Sequence, residues 1–88
     1  MKYVVFKSAE GPRVEVFAAP TTHADQIAAH PGWIPQSAGF VEFLGGGNVR
    51  VFGFSESLRL GCDPRDASLI EVMMSATLQL CVTLPVSL

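Results

Sequence analysis

The stretch Ser37–Leu60, SAGFVEFLGGGNVRVFGFSESLRL, decides the fold because it holds the clearest pattern in the chain. Two runs of alternating apolar residues are joined by Gly45–Gly47 and Asn48. Such alternation is typical of a half-buried strand, and glycine and asparagine accept the positive φ of a tight turn. The stretch therefore predicts a β-hairpin. Its glycine run is interpreted as a turn, because a phosphate-binding loop would link a strand to a helix.

The residue types on the two arms of this hairpin predict its register. A three-residue loop at Gly45–Gly47 places Leu44 opposite Asn48, Glu42 opposite Arg50, and Phe40 opposite Phe52. The second pair is ionic and the third is aromatic, and both kinds stabilise neighbouring strands. A slip of one residue would exchange the two faces. The core face in this register comprises Val41, Phe43, Val49 and Val51.

The residues before this hairpin predict a first hairpin followed by a short helix. Lys2–Lys7 is rich in β-forming residues, and Arg13–Phe17 alternates polar and apolar side chains. Thr22 followed by Asp25 resembles a capping box, so a helix is expected to start there and to end near His30.

The residues after the central hairpin predict the main core helix, from Pro64 to about Leu78. Asp63 suits the N-cap, Pro64 suits the first helical position, and Asp66 is favourable near the positive end of the helix dipole. The predicted apolar stripe comprises Ala67, Ile70, Met73, Met74 and Thr77, widened by Leu69 and Val72.

The C-terminal residues 78–88 have a different period. Leucine or valine occupies every second position, which favours a strand over a continued helix. We expect this apolar tail to form an extra strand or a self-association arm.

Together these elements predict a single α+β domain over residues 1–88. The expected chain order is ββαββα. A mostly antiparallel sheet of about four strands would have both helices packed on one of its faces.

The composition of the chain limits its function classes. Of 88 residues, 49% are apolar and only 16% are charged, against a usual charged share of about 25%. The net charge is −2 and the six basic residues are scattered. Nucleic acids and anionic lipids need clustered positive charge, so neither is an expected partner.

The chain contains no apolar run with the features of a secretory signal or of a membrane-spanning helix. We therefore expect a cytoplasmic protein whose two cysteines, Cys62 and Cys81, are reduced.

The outer face of the predicted sheet is the leading candidate for a binding surface. Aromatic side chains mixed with a few charges are typical of protein interfaces. This pattern predicts a non-enzymatic protein-interaction or assembly module whose partner is another copy of the chain. The candidate residues are Phe40, Glu42, Arg50, Phe52, Phe54, Phe17 and Tyr3.

The alternative hypothesis is a small enzyme or ligand-binding protein that uses Cys62 with His23 or His30. Cys62 precedes a helix start, where a thiolate is stabilised. The spacing of the two histidines matches no recognised metal motif, so no metal or cofactor is expected.

Three short strings resemble, in layout, short uncharacterised bacterial and phage-associated proteins. They are KYVVFK at Lys2–Lys7, SAGF at Ser37–Phe40, and SESLRLG followed by PRDASLI within residues 55–70. The resemblance implies a compact α+β domain from a bacterial or prophage setting, and it carries over no functional residues.

Overall fold

Residues 1–75 are described by the structure, a computed structural model. They form a small α+β fold with a four-stranded antiparallel sheet and two helices, which confirms the prediction at that level. The predicted tail strand at 78–88 lies outside the described residues. The elements are β1 (Lys2–Ser8), β2 (Gly11–Phe17), α1 (His23–Ala29), β3 (Ile34–Gly45), β4 (Asn48–Phe52), β5 (Phe54–Ser55), β6 (Leu60–Gly61) and α2 (66–75).

The four-stranded sheet has the order β2-β1-β3-β4, so β2 and β4 are its edges. Strands β5 and β6 form a separate two-stranded sheet that the predicted order ββαββα lacks. Gly53, whose φ is +82°, separates β4 from β5, and a turn at 56–59 then folds the chain back. The bent strand extension expected after Phe54 is therefore a small ribbon.

Strand β1 is buried on both faces of the sheet. Tyr3 and Val5 belong to one core group, with Ile70 of α2, whereas Val4 and Phe6 belong to another, against which α1 packs. The expectation that both helices cover one face was wrong. An uninterrupted apolar run in a central strand needs cover on each side, and each helix supplies one layer.

The central hairpin has the predicted register along most of its length. Phe40 lies opposite Phe52, and Glu42 lies opposite Arg50. At the turn, however, Asn48 pairs with Gly45 and not with Leu44, because the register shifts between Phe43 and Gly45. The resulting two-residue turn, Gly46–Gly47, has φ values of +63° and +82°, which match the twist of a hairpin.

Local hydrogen bonds begin both helices. The Thr22 hydroxyl accepts from the Asp25 N–H at 3.1 Å, and the Asp25 carboxylate accepts from the Thr22 N–H at 2.9 Å, so the predicted capping box is confirmed. Asp63 accepts from the Arg65 N–H at 2.9 Å ahead of α2. The helix begins at residue 66, two positions later than predicted, because residues 64 and 65 form a turn.

The predicted apolar stripe of α2 is confirmed for its central residues and wrong for Val72. Ile70 is fully buried, and Ala67, Leu69 and Met74 pack against the same core group. Val72 is 70% exposed, because it points away from the sheet. Thr77 lies outside the described residues.

Candidate functional site

Four of the seven exposed large apolar side chains in residues 1–75 lie on the β3–β4 hairpin or directly after it. Exposure of the side chains is 45% for Phe43, 55% for Leu44, 39% for Phe52 and 51% for Phe54. Phe43 lies on the predicted core face, but its expected burial was wrong, although Val49 opposite it is buried.

We define the hairpin surface as five candidate residues: Phe40, Glu42, Arg50 and Phe52 on the α1 side of the hairpin, and Phe54 of the adjoining strand β5. The rings of Phe40 and Phe52 stack with their centroids 5.7 Å apart. The Arg50 guanidinium lies 4.6 Å from the centre of the Phe52 ring and forms a salt bridge with Glu42. These contacts hold the side chains in a fixed arrangement in the free protein, which lowers the ordering cost of binding.

Two predicted members of the outer face are buried. Tyr3 is fully buried and faces α2, so its assignment to the outer face was wrong. It pairs with Gly39 and Val16, and this register sets the face that it occupies. Phe17 does lie on the α1 side, but it is only 8% exposed because His23 and the second core group cover it.

No strand within residues 1–75 pairs with the outer edge of β4, which we call its open edge. The Val41 N–H donates to the Met1 carbonyl at 2.9 Å, away from β4, so Val41 and Val51 form a non-hydrogen-bonded pair. The backbone N–H and C=O of Val51 therefore point out of the sheet. One neighbouring group on this edge is already covered, because the Val49 N–H donates to the Glu71 carboxylate at 2.9 Å.

The structure does not bring Cys62 together with either histidine. Cys62 packs with the α2-side core group, next to Gly39. His23 lies on the other side of the sheet, where its Nε2 donates to the Gly39 carbonyl at 3.0 Å. His30 stacks on Trp33 and lies 3.3 Å from the Glu15 carboxylate. Each of the three side chains thus has a separate structural environment.

A cleft of about 420 Å³ lies between the start of α2 and the sheet, and we name it the α2 cleft. The sequence-based reasoning missed it, because it joins residues far apart in the chain. The available signals were the adjacent polar residues Gln36 and Ser37 in a strand, and the second acidic residue at the helix start, Asp66. Its lining residues are Val5, Gln36, Ser37, Asp63, Arg65, Asp66 and Leu69.

Two hydrogen-bonded groups shape the electrostatics beside this cleft. The Tyr3 hydroxyl donates to the Asp66 carboxylate at 2.6 Å. Burial, and then this hydrogen bond, raise the pKa of Tyr3 far above its ordinary value. Hydrogen bonds from Arg65 lower the pKa of Asp63 to about 2. Tyr3 therefore stays protonated as a donor, and Asp63 stays ionised.

No group of three or more histidine, cysteine or acidic side chains within residues 1–75 is placed to hold a metal ion. The described helices are also all too short or too polar to cross a membrane.

Comparison of the chain with protein-family models, with curated proteins and with solved structures found no match. The resemblance to bacterial and phage-associated proteins therefore stays a prediction.

Proposed function

We propose that this protein is a self-association module in which two copies meet through the hairpin surface and the open edge of β4. The observation that carries the proposal is the exposure of Phe52 and Phe54, at 39% and 51%, beside a strand edge that no strand of the described chain pairs with. Exposed aromatic rings next to such an edge form a ready interface, because pairing supplies hydrogen bonds and the rings supply buried apolar area.

A second copy fits this surface because the surface is self-complementary. Two β4 strands related by a twofold axis at Val51 would pair antiparallel and exchange the backbone hydrogen bonds of that residue. The same register places Arg50 of each copy opposite Phe52 of the other. Arg50 already lies over its own Phe52 ring, so pairing would extend an existing cation–π arrangement across the interface.

Glu71 limits how far the strands can pair. The Glu71 carboxylate already accepts a hydrogen bond from the Val49 N–H. A second strand can therefore pair with β4 only after Val49. Most of the buried area would therefore come from Phe52 and Phe54 and not from a long backbone ladder. This division predicts that the aromatic residues determine the affinity and that Val51 determines the orientation.

The first experiment compares Phe52→Glu with Ile34→Glu by sedimentation equilibrium. Ile34 is 58% exposed on β3 at the opposite end of the strand, so the control introduces the same charge outside the surface. Loss of a central aromatic residue should weaken association about tenfold or more, whereas the control should associate like the wild type. Far-ultraviolet circular dichroism checks that both variants are folded.

Hydrogen exchange of the backbone amides tests whether the two β4 strands pair at Val51. The Val51 amide should exchange quickly in dilute protein and slowly at concentrations where dimers form. A wild-type chain that stays monomeric at every concentration would refute the proposal. If Phe52→Glu and Ile34→Glu weakened association equally, the hairpin surface would not be the interface.

A further inference from the structure

The α2 cleft is a second candidate binding site, on the opposite side of the sheet from the hairpin surface. Its volume of about 420 Å³ falls within the usual range for small-molecule pockets, about 300–1,000 Å³. The sheet contributes Val5, Gln36 and Ser37, and the start of α2 contributes Asp63, Arg65, Asp66 and Leu69, so each wall has apolar and polar side chains. A cleft with both kinds of lining suits a short molecule that has one polar and one apolar end.

Ser37 supplies a hydrogen-bonding group that the protein itself does not use. The residue is only 7% exposed, lies opposite Val5 of β1 and lines the cleft. Its hydroxyl has no hydrogen-bond partner within residues 1–75, and it is not sealed from the cleft. Because the hydroxyl is accessible from the cleft and has no partner among the described residues, it is available to a ligand that enters the cleft.

Asp66 supplies a carboxylate oxygen in the same way. The residue is 3% exposed, and its Oδ2 accepts from both the Tyr3 hydroxyl and the Asp63 N–H, at 2.6 and 3.0 Å. The shorter distance is typical of a hydroxyl that donates to an ionised carboxylate. Its Oδ1 accepts no hydrogen bond from the described residues and remains free for a donor.

The charges of the cleft favour a cation. Arg65 is held by Asp63 at 2.8 Å, which leaves Asp66 as the carboxylate of the cleft that forms no salt bridge with a described residue. The start of α2 would otherwise attract an anion, but Asp63 already accepts the Arg65 N–H there. An entering anion would therefore meet an uncompensated negative charge.

We propose that the α2 cleft binds a primary ammonium group on a short aliphatic stem. Asp66 Oδ1 and Ser37 Oγ accept hydrogen bonds from the ammonium, which carries three donors. The stem lies along Val5 and Leu69. Both a free alkylamine and a lysine side chain present this chemistry.

The test is a titration of the full chain followed by nuclear magnetic resonance, with n-butylamine and Nα-acetyl-lysine amide as separate probes. n-Butanol, which replaces the ammonium with a hydroxyl, is the matched control ligand. We expect n-butylamine to shift the amide signals of Ser37 and Asp66 in a saturable manner and n-butanol to leave them nearly unchanged. Tighter binding of the lysine derivative would assign the site to a peptide side chain, and weaker binding would assign it to a free amine.

Variants separate the proposed contacts from a loss of folding. Ser37→Ala should weaken amine binding about fivefold to tenfold, whereas Ser68→Ala, an exposed serine of α2 outside the cleft, should bind like the wild type. Asp66→Asn should abolish binding but also disturbs the bond to Tyr3, so Ser37→Ala is the deciding variant. Unchanged affinity in Ser37→Ala, or equal binding of n-butylamine and n-butanol, would overturn the proposal.

Discussion

The two halves of strand β3 have the same backbone conformation but opposite environments. Ser37, Ala38, Gly39 and Val41 are buried, whereas every residue from Glu42 to Gly45 is exposed. The first half lies beside β1 and between the two helical layers, and the second half is paired only with β4. An alternating pattern therefore identifies a strand, but the neighbouring layers decide which part of that strand is buried.

This difference separates stability from binding within one element. The inner half belongs to the hydrophobic core and, through Ser37, to the α2 cleft. The outer half carries apolar side chains that no described element covers. Substitutions in the two halves should therefore affect different measurements.

The largest expected effect comes from a core residue facing the inner half. Ile70→Ala removes a side chain that is fully buried and should lower the free energy of unfolding by about 2–5 kcal/mol. Leu44→Ala, at an outer position that is 55% exposed, should change it by no more than about 0.5 kcal/mol. Urea unfolding of dilute protein measures both. Similar losses in the two variants would mean that the outer half belongs to the core.

An intermediate effect is expected at Tyr3, beneath the cleft. Tyr3→Phe removes the donor to the buried Asp66 carboxylate and should cost about 1–3 kcal/mol near neutral pH. Because the pKa of folded Tyr3 is raised above the ordinary value of 10.0, the folded chain keeps the proton that the unfolded chain releases. The contribution of Tyr3 is thus complete below pH 10 and decreases as the pH rises above it.

Unfolding of the wild type and of Tyr3→Phe across this pH range tests the linkage. The stability difference between the two proteins should shrink above pH 10. Tyr3 is the only tyrosine, so its phenolate absorbance should appear together with alkaline unfolding. A phenolate signal in the folded protein near pH 10 would contradict the buried hydrogen bond.

The smallest effect is expected at the hairpin turn. Gly46 has φ +63°, and an added Cβ would meet its nearest neighbour, Asn48, at an ordinary 3.8 Å. Asparagine accepts this conformation and restricts the unfolded chain, so Gly46→Asn should stabilise the fold by a few tenths of a kcal/mol. Gly46→Val is the control, since a β-branched residue at positive φ is strained. Stabilisation by valine would contradict the turn geometry.

Features set by near neighbours were predicted well. The opposite charges of Glu42 and Arg50 gave the correct register, because only one alignment pairs them on one face. Thr22 and Asp25 gave the correct start of α1, because a capping box needs only four consecutive residues. The glycine run was placed correctly as a turn, but its bulge depends on details of φ that residue types do not specify.

Features that join distant residues were missed. Tyr3 was placed on the wrong face, because parity within one strand does not say which face meets α2. The cleft was missed because Ser37 and Asp66 approach each other only when α2 docks on the sheet. Gly39 is a further example. A Cβ at this position would lie 2.7 Å from the Phe52 carbonyl, and this conflict appears only in the tertiary structure.

Short-range residue patterns thus determine the hairpin, its register and the helix starts, because each depends on backbone preferences and contacts between near neighbours. Tertiary packing alone decides which layer covers each face of β1, how much of β3 stays exposed, and where the α2 cleft lies. The reason is that burial depends on which surfaces meet after the helices dock, and 88 residues of pattern are compatible with more than one such arrangement.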